Sequence, residues 1–146
     1  MTFFCKLKFF SLASCSWEIV DTMKLPSTVE FIDYSAMSIY RGGGFLSFPT
    51  YVAITSQENS ELWIGLIEEL DYYPYFQIQS LDNDLSYHLP RSVDCSINYC
   101  NIEGVTWRGK NQLILVSDKS KKDQDAMCNG KDQSIHYVKL PKYLTT

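Results

Sequence analysis

Glu103 and Asp118 flank the stretch EGVTWRGKNQLILVSD, which reads as two short strands joined by the turn Arg108-Gly109-Lys110-Asn111. In an antiparallel pair the start of one strand lies beside the end of its partner. The two carboxylates are therefore expected at one end of a hairpin. There they could supply two of the several oxygens that a hard cation needs. The competing reading is structural: Glu103 caps a turn, and Asp118 accepts hydrogen bonds from the loop that follows. Asp82-Asn83-Asp84 and Asp123-Gln124-Asp125 alternate like calcium loops, but neither has the Gly and distal Glu of an EF-hand. Both read as exposed turns.

Nucleophilic chemistry has few candidates. His88 and His136 are the two imidazoles of the chain. A Ser-His-Asp triad needs one of them as a positioned base. No G-x-S-x-G elbow accompanies them, so each reads as a strand residue with a satisfied ring. The five cysteines are Cys5, Cys15, Cys95, Cys100 and Cys128, and an odd number closes no disulfide set. Cys95 and Cys100 stand wider apart than C-x-x-C, and the histidines fall in separate segments, so no zinc spacing is present. Free buried thiols are the expectation, with one bridge among Cys95, Cys100 and Cys128 as the alternative in an exported chain. The run Tyr72-Tyr73-Pro74-Tyr75-Phe76 suits either a recognition patch, where Tyr is favoured, or an outer strand packed on its neighbour.

At 146 residues and 16.9 kDa the chain is long enough to bury one core. Aromatic residues make up 14%, and with the many Val, Ile and Thr they favour strands. A net charge of −4 argues against a nucleic-acid partner, which requires clustered Lys and Arg. The basic cluster Lys119-Ser120-Lys121-Lys122 runs straight into Asp123 and reads as a solvated loop. No apolar run approaches the roughly 20 residues of a membrane span. Residues 1–16 read as an N-terminal strand or a weak leader-like segment. Leu12-Ala13-Ser14-Cys15 has the form of a lipoprotein box, but Lys6 and Lys8 interrupt the apolar region before it. Residues 17–146 read as a single β domain.

The elements that must position these side chains are short strands separated by turn residues. Strand-like runs cover Trp17–Met23, Ser35–Tyr40, Thr50–Ser56, Leu62–Ile67, Tyr75–Gln79, Val105–Trp107, Gln112–Ser117 and Ser134–Leu140. Glu61–Leu70 comes nearest to a helix, yet Trp63, Ile64 and Ile67 suit a strand as well. A loose repeat links residues 35–70 with 102–140. Each unit opens on a short apolar strand and turns on Arg-Gly. A fully apolar strand with polar ends follows, Val52–Gln57 in one and Leu113–Asp118 in the other. Each closes on an aromatic-containing strand. Antiparallel four-stranded meanders of this size are blade-like, which predicts an all-β fold with meanders beginning near Ser35 and Ile102. Trp63, Ile54, Leu113, Leu115, Val116 and Trp107 are the expected core.

IEGVTWRGKNQLILVSD, with QSIHYVKLP after it, resembles blades of the six-bladed propeller group that includes SdiA-regulated, esterase-like phytase and gluconolactonase-like proteins. The resemblance covers residues 102–118 well and the two repeats loosely. It implies an incomplete or truncated β-propeller, since two blade-like units do not close a ring of about four to eight. It also implies that Glu103, with Asp118 as a second, is a calcium ligand at a channel mouth. The first repeat has Ser35-Ala36 where the second has Glu103-Gly104, so only one unit carries the acidic position. Two functions follow. The first is a binding or scaffold module that presents loops to a protein or small ligand, completed by further blades or by self-association. The second is a calcium-dependent hydrolase.

Overall fold

The computed structural model describes residues 4–11, 16–42, 49–72, 76–81, 86–119 and 128–141. Among them the fold is all-β and antiparallel, apart from one short 3-10 turn at Cys128–Lys131. The strands are β1 (Phe4–Ser11), β2 (Ser16–Lys24), β3 (Ala36–Arg41), β4 (Thr50–Ser56), β5 (Glu61–Glu69), β6 (Phe76–Ser80), β7 (Ser86–His88), β8 (Ile102–Trp107), β9 (Gln112–Ser117) and β10 (Ile135–Lys139). The segment Glu61–Leu70, nearest to a helix by sequence, is strand β5.

Three sheets share these strands. β1 and β2 form a hairpin. β3-β4-β5-β6 run in sequence order, and β7 continues the far edge of β5 beyond β6. β8-β9-β10 make a three-stranded meander. The unit expected at 35–70 holds three strands, β3 to β5, with β6 added beyond its bounds, and the unit expected at 102–140 also holds three, so neither is the four-stranded meander expected within those limits. No closed ring or barrel joins them among the described residues.

The central sheet is buried on both faces. On one side Ala53, Leu62 and Ile64 pack against Ile102, Leu113 and Leu115 of the C-terminal sheet. On the other, Val52, Ile54, Trp63 and Ile78 pack against Met23, Val29 and Phe31. A strand covered on both faces must be apolar throughout rather than alternating, and β4 carries Val52-Ala53-Ile54 for that reason. Trp63 is 0% exposed. Its ring lies over Gly65, where an added Cβ would come within 2.2 Å of the indole and 2.6 Å of the Gln79 carbonyl oxygen.

Two polar devices hold the layers in register. Asp33 accepts hydrogen bonds from the Ser35 and Ser56 hydroxyls and from the Gln57 and Glu58 amides. Its carboxylate thus satisfies the β4–β5 turn and fastens the connector after β2 to it. Burial pushes the Asp33 carboxyl up, but these bonds outweigh it and hold it below its ordinary value. On the opposite side the Trp107 indole N–H donates to the Ser38 carbonyl at 3.1 Å, and its ring meets those of Tyr40 and Tyr51. Trp107 is half-buried, the anchor of β8 on β3 and β4.

Two expectations need correction. Val116 is 45% exposed instead of buried. β9 alternates, with Leu113, Leu115 and Ser117 turned to the core and Val116 to the outside, because only one face of the three-stranded sheet is covered. The cysteines are also not all free buried thiols. Cys100 and Cys128 are bridged, with Cα atoms 5.4 Å apart, and Cys95 is exposed. The bridge closes a span of 28 residues, which by chain entropy is worth about 3–4 kcal/mol. The side chains of Cys5 and Cys15 fall outside the described residues.

Gly65→Ala should lower stability by about 1–3 kcal/mol, the range for overpacking a filled core. Gly104→Ala, whose Cβ would stand 3.3 Å from a Val116 side chain, should cost much less. Urea denaturation of the two variants beside the parent checks the order.

Candidate functional site

Glu103 and Asp118 lie at one end of the β8–β9 hairpin, as antiparallel pairing requires. The Asp118 amide donates to the Asn101 carbonyl at 3.0 Å, directly beyond the Ile102–Ser117 pair. Asn101 is buried with φ +55°, and its side-chain amide donates to the Lys119 carbonyl. A bulge between Ile102 and Gly104 then inserts Glu103 as the extra residue. The bulge lets Ile102 and Val105 both face the core although they are three residues apart. Glu103 and Asp118 are both exposed. Among the described residues no group of three or more His, Cys, Asp or Glu is placed to hold a metal ion. The acidic stretches 82–84 and 123–125 lie outside the described residues, as do residues 120–122 of the basic cluster and the middle of the aromatic run. Of that run, Tyr72 is exposed and Phe76 packs against the core around Trp63.

Each histidine has one ring nitrogen partnered. His88 Nδ1 stands 3.0 Å from Glu61 Oε1, and the other Glu61 oxygen accepts from the Ser86 hydroxyl. His136 is on the inner side of β10, opposite Leu115. Its Nε2 lies 2.8 Å from Ser117 Oγ and 2.9 Å from Ser134 Oγ. Tyr99 meets the imidazole edge-on at 4.9 Å, and Lys131 Nζ sits over the Tyr99 ring. The Ser134 hydroxyl donates to the Lys131 carbonyl. A hydroxyl beside an imidazole is the beginning of a nucleophile–base pair. Ser117, however, is 2% exposed, so its oxygen is closed to a substrate. The cluster works as a polar clamp. With the Cys100–Cys128 bridge nearby in sequence, it secures the 3-10 turn and β10 to β9.

The outer face of the C-terminal sheet is different. Its registers align Gly104, Val116 and Ile135 in one row, then Thr106, Ile114 and Tyr137 in the next. Ile135 is 63% and Tyr137 67% exposed. The Arg108 guanidinium lies 5.4 Å from the centre of the Tyr137 ring, a cation–π contact that steadies both side chains. Backbone pairing extends along β10 through Ser134 and Leu140, which bond Ser117 and Asn111. Ile135, Tyr137 and Lys139 therefore direct their main-chain groups to the edge of the sheet, which no strand among the described residues pairs. This face was missed by sequence reading. The signal for it was the alternation in Ser134–Leu140, whose apolar and aromatic side chains occupy both phases.

Comparison with known protein families, with curated proteins and with solved structures finds no match. No helix among the described residues is long and apolar enough to cross a membrane. What the site can do must therefore be argued from its own geometry.

Burial, and after it the charge on Lys131, hold the His136 imidazole below its ordinary value of 6.5. Below that pH the unfolded chain takes up a proton before the folded one does. Stability should therefore fall as the pH drops from 6.5 through the depressed folded value. In His136→Gln this acid-dependent loss should be smaller, with the remaining loss set by carboxylates such as Asp33. Denaturation midpoints measured from pH 7.5 to pH 4.5 on both proteins test it.

Proposed function

We propose that this chain is a non-catalytic binding module built from two propeller-blade-like meanders, and that its recognition surface is the outer face of β8–β10. One observation carries the reading. The inner face of this sheet is packed around Ile102, Leu113 and Leu115, while the outer face of the same strands presents Val116, Ile135 and Tyr137 to solvent. Scattered apolar residues on a surface need no explanation, but a contiguous apolar row on a braced sheet marks an interaction site. Tyr and Arg, paired here as Tyr137 and Arg108, are the side chains most enriched where interfaces concentrate their energy. The propeller-type architecture is supported by two features. The strands of each meander follow sequence order, and the two meanders stack face to face as neighbouring blades do.

The calcium-dependent hydrolase is the second reading, with Glu103 and Asp118 as metal ligands. It rests on their sharing one end of the hairpin. Calorimetry separates it from the first, because an ion bound by the native state alone raises the melting temperature. The binding-module reading expects no shift with calcium. A rise that Glu103→Gln abolishes would move the assignment to a metal site.

The binding surface itself is tested with a Val116→Asp/Tyr137→Asp variant. Both positions are exposed, so each change should cost no more than about 1 kcal/mol, from lost strand propensity at Val116 and the lost Arg108 contact at Tyr137. Immobilised parent protein should retain a partner from lysate that the variant does not, with circular dichroism spectra superimposable. Equal retention on both baits would sink the assignment of this face.

A further inference from the structure

The outer face of β8–β10 is polarised along its strands. At the β8–β9 turn, Arg108 and Lys139 occupy the row of Gln112, and Lys110 stands in the turn itself; all three are exposed. At the opposite end Asp118 and the bulged Glu103 are exposed, with Lys119 offsetting part of their charge. Ile114, Val116, Ile135 and Tyr137 fill the interval. With about 3.4 Å of rise per residue, the row of Gln112 and the level of Asp118 are about 20 Å apart. That exceeds the Debye length of about 8 Å at physiological ionic strength. The two ends act as separate patches of opposite sign and do not neutralise each other.

A partner for this face must offer acid, then an apolar centre, then base, in the reverse order. A second copy of the same face does so when its strands run the opposite way. Two such faces meet about a two-fold axis lying between them and perpendicular to the strands. The basic end of each copy then covers the acidic end of the other, and the apolar rows meet at the axis. The other in-plane two-fold, parallel to the strands, would set Arg108 and Lys139 of both copies together and is opposed by like-charge repulsion. A closed two-fold contact uses the same patch on both copies, which this ordering of charge permits.

We propose that the outer face of β8–β10 is self-complementary and pairs two copies of this chain face to face, Arg108 and Lys139 of each opposite Glu103 and Asp118 of the other. This rests on reading the outer face as a binding surface and names its occupant. Three strands about 4.8 Å apart and about 20 Å long bury far less than the roughly 1,200 Å² of a standard stable interface. The dimer is therefore weak and reversible, and its formation is driven by local concentration.

Sedimentation equilibrium on the oxidised full chain tests the pairing. The parent should show a monomer–dimer equilibrium that weakens about tenfold between about 50 mM and about 500 mM salt. Two charge-reversed proteins decide the geometry. Arg108→Glu/Lys139→Glu makes both ends acidic, and Glu103→Lys/Asp118→Lys makes both ends basic. Each alone should lose dimerisation at least about tenfold, while their equimolar mixture should regain it as a heterodimer. All four positions are exposed, so unchanged circular dichroism is expected and confirms that the fold is retained. A parent that stays monomeric at every concentration would overturn self-pairing. So would a dimer indifferent to both reversals, or a mixture that does not associate. If the parent is monomeric but still retains a lysate partner that Val116→Asp/Tyr137→Asp loses, the binding surface stands with another occupant. If that retention fails as well, both readings fall together.

Discussion

Strands β4 and β5 are buried from both sides, and the rest of the molecule is arranged to keep them so. Trp63 fills one side, lying across the backbone at Gly65 beneath Val29, Phe31 and Met23. Leu62, Ile64 and Ala53 fill the other beneath the C-terminal sheet. Neither cover would be a stable unit alone, since a hairpin or a small sheet in water is marginal without a surface to pack on. The central pair in turn would expose whichever face lost its cover. The indole N–H of Trp63 has no hydrogen-bond partner among the described residues. Such a group costs about 1–3 kcal/mol, a loss this strand pair tolerates because full burial of the ring contributes more.

The C-terminal sheet has a different balance. It is covered on one face only, so its strands alternate, and it is held by few but specific attachments. Trp107 joins it to β3 and β4 through a hydrogen bond and two ring contacts. The Cys100–Cys128 bridge and the hydroxyls around His136 fasten its far strand. A sheet braced in this way can leave its second face open without collapsing. That is the physical basis for reading Val116, Ile135 and Tyr137 as a binding surface rather than as a packing defect.

Most of the buried polar groups serve to satisfy the backbone. Asp33 completes a turn, Asn101 adopts a left-handed conformation and ties β8 to the residue after Asp118, and His136 closes the β9–β10 end. Ser60, itself buried, holds the Leu89 amide and the Tyr99 carbonyl to the β4–β5 turn. Each removes a buried donor or acceptor that would otherwise be stranded.

Strand positions were legible from sequence where a local pattern was strong. Thr50–Ser56 and Gln112–Ser117 have the bounds expected of them, because an apolar β-branched run between turn residues specifies a strand without help from the fold. The all-β class follows from the same local signal, as does the placement of Glu103 and Asp118 at one end of a hairpin. Other features depend on which face another part of the chain happens to cover. Val116 and Leu115 are equally apolar and adjacent, yet one is exposed and the other buried, and no local propensity distinguishes them. The pairing of Cys100 with Cys128 and the contact of the Ser117 hydroxyl with His136 likewise join residues 28 and 19 apart in the chain. Asp33 is fixed by a turn more than twenty residues beyond it. Sequence alone determined the strongest strands and the turns between them, because those are set by neighbours along the chain, whereas the short β7 (Ser86–His88) had no such local signal. Only the tertiary structure decided which sides are buried and which surface is left open, because burial is a property of layers that meet through space.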